Sequence, residues 1–254
     1  MHFAGASALI PAFVPDWPLP AGVKALQTEC GQGAYPYGGF NLGDHVGDDS
    51  ARVTHNRQVL VDTIGAAPVW MRQVHGNRVV ALNGVSSAMP EADAAMTTCP
   101  GMACAIMTAD CLPVLVADRQ ARVVGAAHAG WRGLAEGVVE QLIDTMCRVP
   151  GVAPRDLSVW LGPAIGPTAF EVGQEVVDAF VRRDTAHAAA FRGHPGSAGK
   201  YLADMSALAT HILRARGVED ITPSGLCTYM LTDRFYSYRR DGVTGRMASL
   251  IWLE

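Results

Sequence analysis

Three residues of types that bind transition metals stand far apart in the chain: His75, Cys111 and His128. A catalytic zinc ion takes three protein ligands and keeps a fourth position open for water or substrate. Intervals of 36 and 17 residues do not fit a zinc finger, whose ligands come in closely spaced pairs, and they suit ligands at three separate strand ends. A histidine beside glycine is also a common hydrogen-bonded turn residue, so the spacing alone leaves both interpretations open.

The predicted secondary structure brings each of these residues to the end of a strand. Apolar runs predict strands around them at residues 68–75, 78–82, 102–107, 113–117 and 123–128. A turn at 75–77 joins the first two strands as a hairpin, Cys111 follows the third, and His128 ends the fifth. Residues 130–133 then lead into a helix that ends before Pro150, an arrangement that presents backbone N–H groups to an anion.

The rest of the chain is predicted to alternate between strands and helices. Further strands are predicted at 23–26 as an edge strand, and at 157–161, 218–221, 235–238 and 247–253. Helices are predicted from Asp49 or Ser50 to Gly65, around 176–181, and from Asp204 to Gly217. Two glycine-rich segments lie outside these elements, a long ordered loop at 28–49 and a mobile insert at 192–200.

Composition narrows the class of protein and of partner. The chain has 254 residues, is 49% hydrophobic and carries a formal net charge of −4. Such a chain can bury a large core, and it offers no basic surface for the phosphates of a nucleic acid. We therefore expect a single domain over residues 1–254 that works as a monomer on a small molecule, with no nucleic acid partner.

Neither export nor membrane insertion is expected. Residues 1–5 lack the positive charge of a signal peptide, and the longest charge-free apolar run, 94–109, is broken by a Pro-Gly pair. The six cysteines are scattered without a Cys-x-x-Cys pair, which disfavours a disulfide framework. We expect a cytoplasmic protein whose cysteines are mostly buried thiols.

Motifs in a definite order surround the three candidate ligands. The nearest are Gln73-Val74-His75-Gly76, Ala92-Asp93-Ala94, the run 107–115, and His128-Ala129-Gly130-Trp131-Arg132-Gly133. Others are Asn41-Leu42-Gly43, 45–49, 160–166, 235–241 and Thr244-Gly245-Arg246. Together they extend from about 23 to 253 and resemble the YfiH-like family, whose members are also called laccase-domain proteins or multicopper polyphenol oxidases.

This resemblance implies an α+β fold, a single domain in which mixed β-sheets pack together and are flanked by helices. It implies a zinc-dependent purine nucleoside phosphorylase that uses phosphate and acts on adenosine, inosine, guanosine and methylthioadenosine, with adenosine deaminase activity as well. Carried over to the matching positions, His75, Cys111 and His128 are the metal ligands and candidate catalytic residues, with Zn²⁺ as the cofactor.

Charged residues beside the ligands are candidates for the remaining chemistry. Asp110 is either a catalytic proton shuttle or a carboxylate that orients a ligand histidine. Arg132, together with the N–H groups of 130–133, is the candidate anion site, although many such arginines form surface salt bridges.

The glycine-rich loop holds further candidates and one departure from the family. Asn41 and Gln73 either bind the nucleoside or satisfy loop backbone groups, and His45 either lines the pocket or belongs to a turn. The family usually has an arginine in a Thr-Arg-x-Gly-Gly pattern, where this chain has Glu29 after Thr28. This difference puts phosphate binding by the loop in question.

Other functions stay open at this point. Copper would also bind a Cys/His/His pocket in vitro, since it outranks zinc in intrinsic affinity, so a copper polyphenol oxidoreductase is one alternative. None of the eight histidines forms the His-x-His pairs that a multicopper laccase needs. A hydrolase with Cys111 as nucleophile and His128 as base, acting in peptidoglycan editing, is another alternative. A structural zinc would need a fourth protein ligand, and the sequence offers three.

Overall fold

The computed structural model describes residues 10–84 and 89–254. The start of the chain, on which the expectation of no export signal depends, lies outside these ranges. The strands are β1 (Ala12–Phe13), β2 (Val23–Thr28), β3 (Ala67–Val69), β4 (Val79–Leu82), β5 (Ala94–Thr97), β6 (Met102–Thr108), β7 (Leu112–Asp118), β8 (Val124–Ala129), β9 (Leu157–Leu161), β10 (Glu171–Gly173), β11 (Phe191–Gly193), β12 (Lys200–Ala203), β13 (Asp220–Pro223) and β14 (Met247–Leu253). The helices are α1 (Ser50–Ile64), α2 (Trp131–Glu136), α3 (Val138–Met146), α4 (Gln174–Val181), α5 (Met205–Ala215) and α6 (Tyr238–Asp241), with 3₁₀ helices at Pro154–Asp156 and Thr185–Ala190.

The strands form two large mixed sheets and one small sheet. The first sheet has the order β1-β2-β14-β6-β3, and the second has the order β13-β9-β7-β8-β5-β4. Each contains both kinds of pairing: β6 is antiparallel to β14 and parallel to β3, whereas β9 is antiparallel to β7 and parallel to β13. The small sheet has the order β10-β12-β11.

Apolar residues on alternate positions of a strand pack into different layers of the core, because successive side chains point to opposite faces. In β7, Leu115 packs between the two large sheets with Ile106 and Ile251, whereas Val114 packs under the helices on the outer face of the second sheet. Leu60 of α1 covers the outer face of the first sheet. The predicted class, mixed sheets packed together and flanked by helices, is confirmed.

Two connections cross from the first sheet to the second. The hairpin predicted across 75–77 is wrong, because β3 belongs to the first sheet and β4 to the second. Between them the chain makes only an isolated bridge, from Arg72 to Glu91. The link from β6 to β7 makes the same crossing in three residues, 109–111. The predicted ligands His75 and Cys111 therefore lie on connections between sheets.

Four other predicted elements differ from the structure. Strand β2 is internal and not at the edge, because the short β1 covers it. The helix predicted after residue 130 is divided into α2 and α3 at Gly137, whose φ of 92° is left-handed and interrupts the helical hydrogen bonds. The two ends of the insert 192–200 belong to the paired strands β11 and β12, so only 194–199 form a loop. Residues 235–237 form no strand, because Ser237 caps α6 with its side chain.

The predicted helix ends are confirmed. The Asp49 side chain accepts a hydrogen bond from Arg52 N at the start of α1, and Gly65 ends that helix with a left-handed φ of 65°. Asp204 caps α5 in the same way. Among the helices of the described residues, none combines the length and the apolar character needed to cross a membrane.

The segment before β2 is anchored to the second sheet by one buried hydrogen bond. The indole Nε1 of Trp17 donates to the hydroxyl of Ser158 in β9 at 2.7 Å, and both residues are buried. Because an indole N–H without an acceptor is costly inside a protein, this bond ties an irregular segment to the core.

Replacing the acceptor, Ser158→Ala, should lower the free energy of unfolding by about 1–3 kcal/mol, because the Trp17 N–H would stay buried without a partner. Urea unfolding followed by tryptophan fluorescence measures the change. Ser206→Ala, the same substitution on a partly exposed turn of α5, should change stability by less than about 0.5 kcal/mol. Equal stability of the two variants would contradict the anchoring role.

Candidate metal centre

Three side chains that are distant in the sequence meet at one point in the structure. One ligand atom from each of His75, Cys111 and His128 lies within 4.8 Å of the others. Cys111 Sγ lies 3.7 Å from His75 Nε2, and the two imidazole rings meet edge to face with their centroids 4.7 Å apart. His75 is exposed and His128 is buried. The cluster therefore opens to solvent on the side of His75.

The carboxylate of Asp93 holds two of these three residues. It accepts hydrogen bonds from the backbone N–H groups of Val74, His75 and Gly76 at 2.8–3.1 Å, and these bonds stabilise the left-handed φ of 62° at His75. The same carboxylate lies 2.8 Å from His128 Nδ1. Burial by itself would raise the pKa of Asp93, but His128 and the N–H groups keep it below its usual value.

The electrostatics of the cluster favour a thiolate at Cys111. Burial by itself would raise the pKa of this thiol, but His128 and His75 together lower it below the ordinary value of a cysteine. Burial would likewise lower the pKa of His128, but Cys111 and Asp93 raise it. A thiolate is the form of cysteine that binds a metal ion or attacks an electrophile.

Two glycines after β8 make room for the cluster. A Cβ atom on Gly130 would lie 2.6 Å from His75 Cδ2 and 3.1 Å from Cys111 Sγ. A Cβ atom on Gly133 would lie 2.7 Å from the carbonyl oxygen of Gly76. The backbone of Gly130, with φ −65° and ψ 157°, suits any residue, so space and not conformation requires glycine here.

Asp110, the candidate shuttle, is bound into a neighbouring loop. Its Oδ1 accepts from the Thr228 hydroxyl at 2.6 Å and its Oδ2 from Arg239 N at 2.7 Å. Asp110 was alternatively predicted to orient a ligand histidine. In the structure Asp93 is the carboxylate that hydrogen-bonds His128. The sequence contained Asp93 in a motif, but without the fold nothing linked it to His128.

The side chains of Asn41 and Gln73 bond to backbone groups. Asn41 is buried, and its Oδ1 accepts from the N–H groups of Gly43 and Arg246 at 2.9 and 2.8 Å. Gln73 exchanges two hydrogen bonds of 2.8 Å with the backbone of Met107 at the end of β6. Both pack the loops around the cluster, which is one of the two roles predicted for them. Their contact with a nucleoside stays a prediction.

The other predicted residues lie at the surface. His45 is exposed in the glycine-rich loop. Arg132 is exposed at the start of α2, with its guanidinium 4.4 Å from the centroid of the Trp131 ring. Glu29 forms an ion pair with Arg234. Pocket lining by His45 and anion binding by Arg132 stay predictions.

Arg246, which the sequence showed only as part of a motif, lies near the link 109–111, because the next residue, Met247, pairs with Thr108. It is half-buried, and its side-chain hydrogen bonds within the described residues go to two neutral carbonyl oxygens, those of Thr244 and Gly245. Burial lowers its pKa, while the nearby Cys111 and Asp110 act in the opposite direction. No pattern around residue 246 indicates this position, because it depends on the pairing of β14 with β6.

Known proteins share this fold over nearly its full length. A family model described as multi-copper polyphenol oxidoreductase laccase matches residues 24–254. A purine nucleoside phosphorylase of Pseudomonas aeruginosa is 50% identical over 244 residues, which cover 94% of this chain and 97% of the relative. The purine nucleoside phosphorylase YfiH of Escherichia coli K12 is 47% identical over 244 residues, which cover 94% and 98%.

A solved structure extends the likeness to the backbone. The crystal structure of a Neisseria meningitidis protein superposes with a TM-score of 0.89 at 46% identity, over 96% of this chain and 99% of that one. Sequence and backbone thus agree over the whole described fold. A match of this extent makes the chain a member of the YfiH family, whose model is described as multi-copper polyphenol oxidoreductase laccase.

Proposed function

We propose that this chain is a zinc-dependent purine nucleoside phosphorylase that acts on adenosine, inosine, guanosine and methylthioadenosine. The observation that supports it best is the meeting of three metal-binding side chains, His75, Cys111 and His128, at one point. Arg246 lies near the link that carries Cys111, because Met247 pairs with Thr108. Two relatives named purine nucleoside phosphorylase, at 50% and 47% identity, support the same reaction.

The side chains of the cluster fit a catalytic metal ion. One cysteine and two histidines make three ligands, the number that a catalytic zinc takes when one position stays open. Asp93 engages Nδ1 of His128 and so leaves Nε2 for the metal. The space beside Gly130 borders both His75 and Cys111. A zinc ion bound there would supply a Lewis acid and a positive charge beside the substrate.

Arg246 is our candidate for holding the phosphate. In phosphorolysis a phosphate oxygen bonds to C1′ of the ribose while the bond from C1′ to the purine nitrogen breaks, and the base leaves with the electron pair. The anion must be held and oriented, and a guanidinium does so through paired N–H donors. The exposed ring of Tyr238, 6.0 Å from the Arg246 guanidinium carbon, offers a face on which a purine could stack. Arg132 is the second candidate for anion binding.

Deamination of adenosine is the second reaction that we propose for this centre. It requires a water nucleophile and a group that moves a proton. Asp110 is the nearest carboxylate in sequence to a ligand, but both of its oxygens accept hydrogen bonds, from Thr228 and Arg239. A proton shuttle at Asp110 would have to break one of these bonds, so we expect deamination to be the slower reaction.

One observation favours a different function, that of a metal-free hydrolase. The lowered pKa of Cys111 and the raised pKa of His128 form the thiolate–imidazolium pair that a cysteine nucleophile requires. A chelator separates the two functions, because both of them need Cys111. A hydrolase would keep its activity in a chelator and lose it on alkylation, whereas the phosphorylase would lose activity in the chelator and regain it with zinc.

Incubation with inosine and adenosine, with and without phosphate, tests the proposed function directly. Zinc-loaded protein should release free base only when phosphate is present, and ammonia should appear from adenosine in either condition. Chromatography of the bases and an ammonia assay measure both products. Protein purified without added copper should retain the activity. A full equivalent of copper, phenol oxidation and no nucleoside cleavage would instead indicate a polyphenol oxidoreductase.

Gly130→Ala should weaken metal binding by roughly 10- to 100-fold, as expected when a neighbour displaces metal ligands. The added methyl group would overlap the His75 ring and press on Cys111 Sγ. Competition with a chromophoric chelator measures the affinity. Gly193→Ala is the matched control, because a Cβ atom there meets nothing within 4 Å. Wild-type affinity in Gly130→Ala would contradict the location of the metal.

Arg246→Gln should raise the KM for phosphate by about 10- to 100-fold, because a charged hydrogen bond contributes about 1.5–3 kcal/mol. The KM for the nucleoside should change much less. Steady-state kinetics with each substrate varied in turn give both constants. Arg72→Gln removes an arginine from an exposed ion pair with Glu91 and should leave both constants unchanged. An equal rise in both constants for Arg246→Gln would indicate a structural role only.

A further inference from the structure

A second group of metal-binding side chains lies outside the centre described above. Asp184, His187 and His211 each offer one ligand atom, and these atoms lie within 4.8 Å of one another. Asp184 precedes the 3₁₀ helix Thr185–Ala190, which contains His187, and His211 lies in α5. We propose that this group is a second metal site, which takes a divalent transition ion such as zinc.

The spacing of the ligand atoms suits such an ion. Asp184 Oδ2 lies 3.1 Å from His211 Nε2. Zinc bonds of about 2.0–2.1 Å at tetrahedral angles place neighbouring ligand atoms roughly 3.3 Å apart. The rings of His187 and His211 meet edge to face, with their centroids 4.9 Å apart. A bound metal would take the place of the proton that now lies between the carboxylate and His211, and small side-chain adjustments would complete the site.

Two of the three ligands are already oriented by hydrogen bonds to the backbone. His187 is buried, and its Nδ1 lies 3.1 Å from the carbonyl oxygen of Phe180. Because a carbonyl only accepts, Nδ1 carries the proton and Nε2 keeps its lone pair for a metal. Asp184 Oδ1 accepts from Ala186 N at 2.9 Å, which leaves Oδ2 available. Hydrogen bonds of this kind commonly orient the side chains that bind a metal ion.

The donor set and the surroundings indicate which ions would bind and how they would enter. Two imidazole nitrogens and one carboxylate oxygen favour zinc and its transition-metal neighbours, whereas magnesium and calcium prefer oxygen ligands alone. The side chains of Asp184 and His211 are 45% and 39% exposed, so solvent reaches the site. His211 also lines a cleft of about 800 Å³.

A metal at this position would join two helical segments that pack on the outer face of the second sheet. Asp184 and His187 belong to the segment that follows α4, and His211 belongs to α5. A cross-link between them stabilises the folded state, because the ligands are dispersed in the unfolded chain. Binding at this site would therefore raise the stability of the fold, and it does not depend on the reaction at Cys111.

Metal stoichiometry tests the proposal. Wild-type protein that is stripped with a chelator, reloaded with Zn²⁺ and dialysed should retain two equivalents by elemental analysis. His211→Gln and Asp184→Asn should each retain one equivalent, and both alter exposed side chains, so we expect them to fold. His55→Gln is the matched control, since His55 is an exposed histidine within α1, and it should retain two. Thermal unfolding verifies that each variant is folded.

Titration with Co²⁺ assigns the equivalents to the two sites. A thiolate ligand gives cobalt a strong charge-transfer absorption, whereas aspartate and histidine ligands do not. The charge-transfer band should saturate at one equivalent while total bound cobalt reaches two, and His211→Gln should keep the band and lose the other equivalent. A wild type that binds no cobalt beyond the equivalent that gives the charge-transfer band, or a second equivalent that both variants retain, would overturn the proposal. Neither result depends on nucleoside cleavage.

Discussion

The buried carboxylate of Asp93 is the constraint on which the metal centre depends. A carboxylate inside a protein is costly unless hydrogen bonds replace its water, and Asp93 accepts three from the turn around His75. Its contact with His128 is set by the sheet, because Asp93 directly precedes β5, and β5 pairs with β8. One carboxylate thus holds two of the three ligands, His75 on the connection between β3 and β4 and His128 on β8. Only Cys111 depends on a different connection.

That connection shows why the centre lies where the two sheets are joined. The chain has only residues 109–111 between β6 of the first sheet and β7 of the second, and Asp110 takes a left-handed φ of 97° to turn so sharply. Most residues avoid this conformation, which persists only where neighbours stabilise it. At Asp110 the hydrogen bonds from Thr228 and Arg239 to its carboxylate stabilise this conformation. At His75 the hydrogen bonds to Asp93 have the same effect. In both crossings, therefore, hydrogen bonds to a carboxylate stabilise the turn that carries the ligand.

Local signals and distant pairings explain which predictions succeeded. Helix ends at Asp49, Gly65 and Asp204 could be predicted, because capping depends on a few adjacent residues. The apolar strands were also recognisable, since burial on both faces leaves a continuous hydrophobic run. The hairpin at 75–77 failed because adjacent strands usually pair, and nothing local shows that these two join different sheets. The proximity of Arg246 to Cys111 likewise depends on strands that are more than a hundred residues apart in the chain.

The charges around the centre bear on how the proposed phosphorylase would hold an anion. Glu29 stands where the family usually has an arginine, and it neutralises Arg234 in an ion pair. Within the described residues, the side-chain hydrogen bonds of Arg246 go to two uncharged carbonyl oxygens and to no carboxylate. The charges of a divalent ion and of Arg246 would be balanced by the Cys111 thiolate and by the carboxylates of Asp93 and Asp110. The proposed phosphorylase would therefore hold its anion through directed N–H donors, such as those of Arg246, and not through a positive excess of the whole centre.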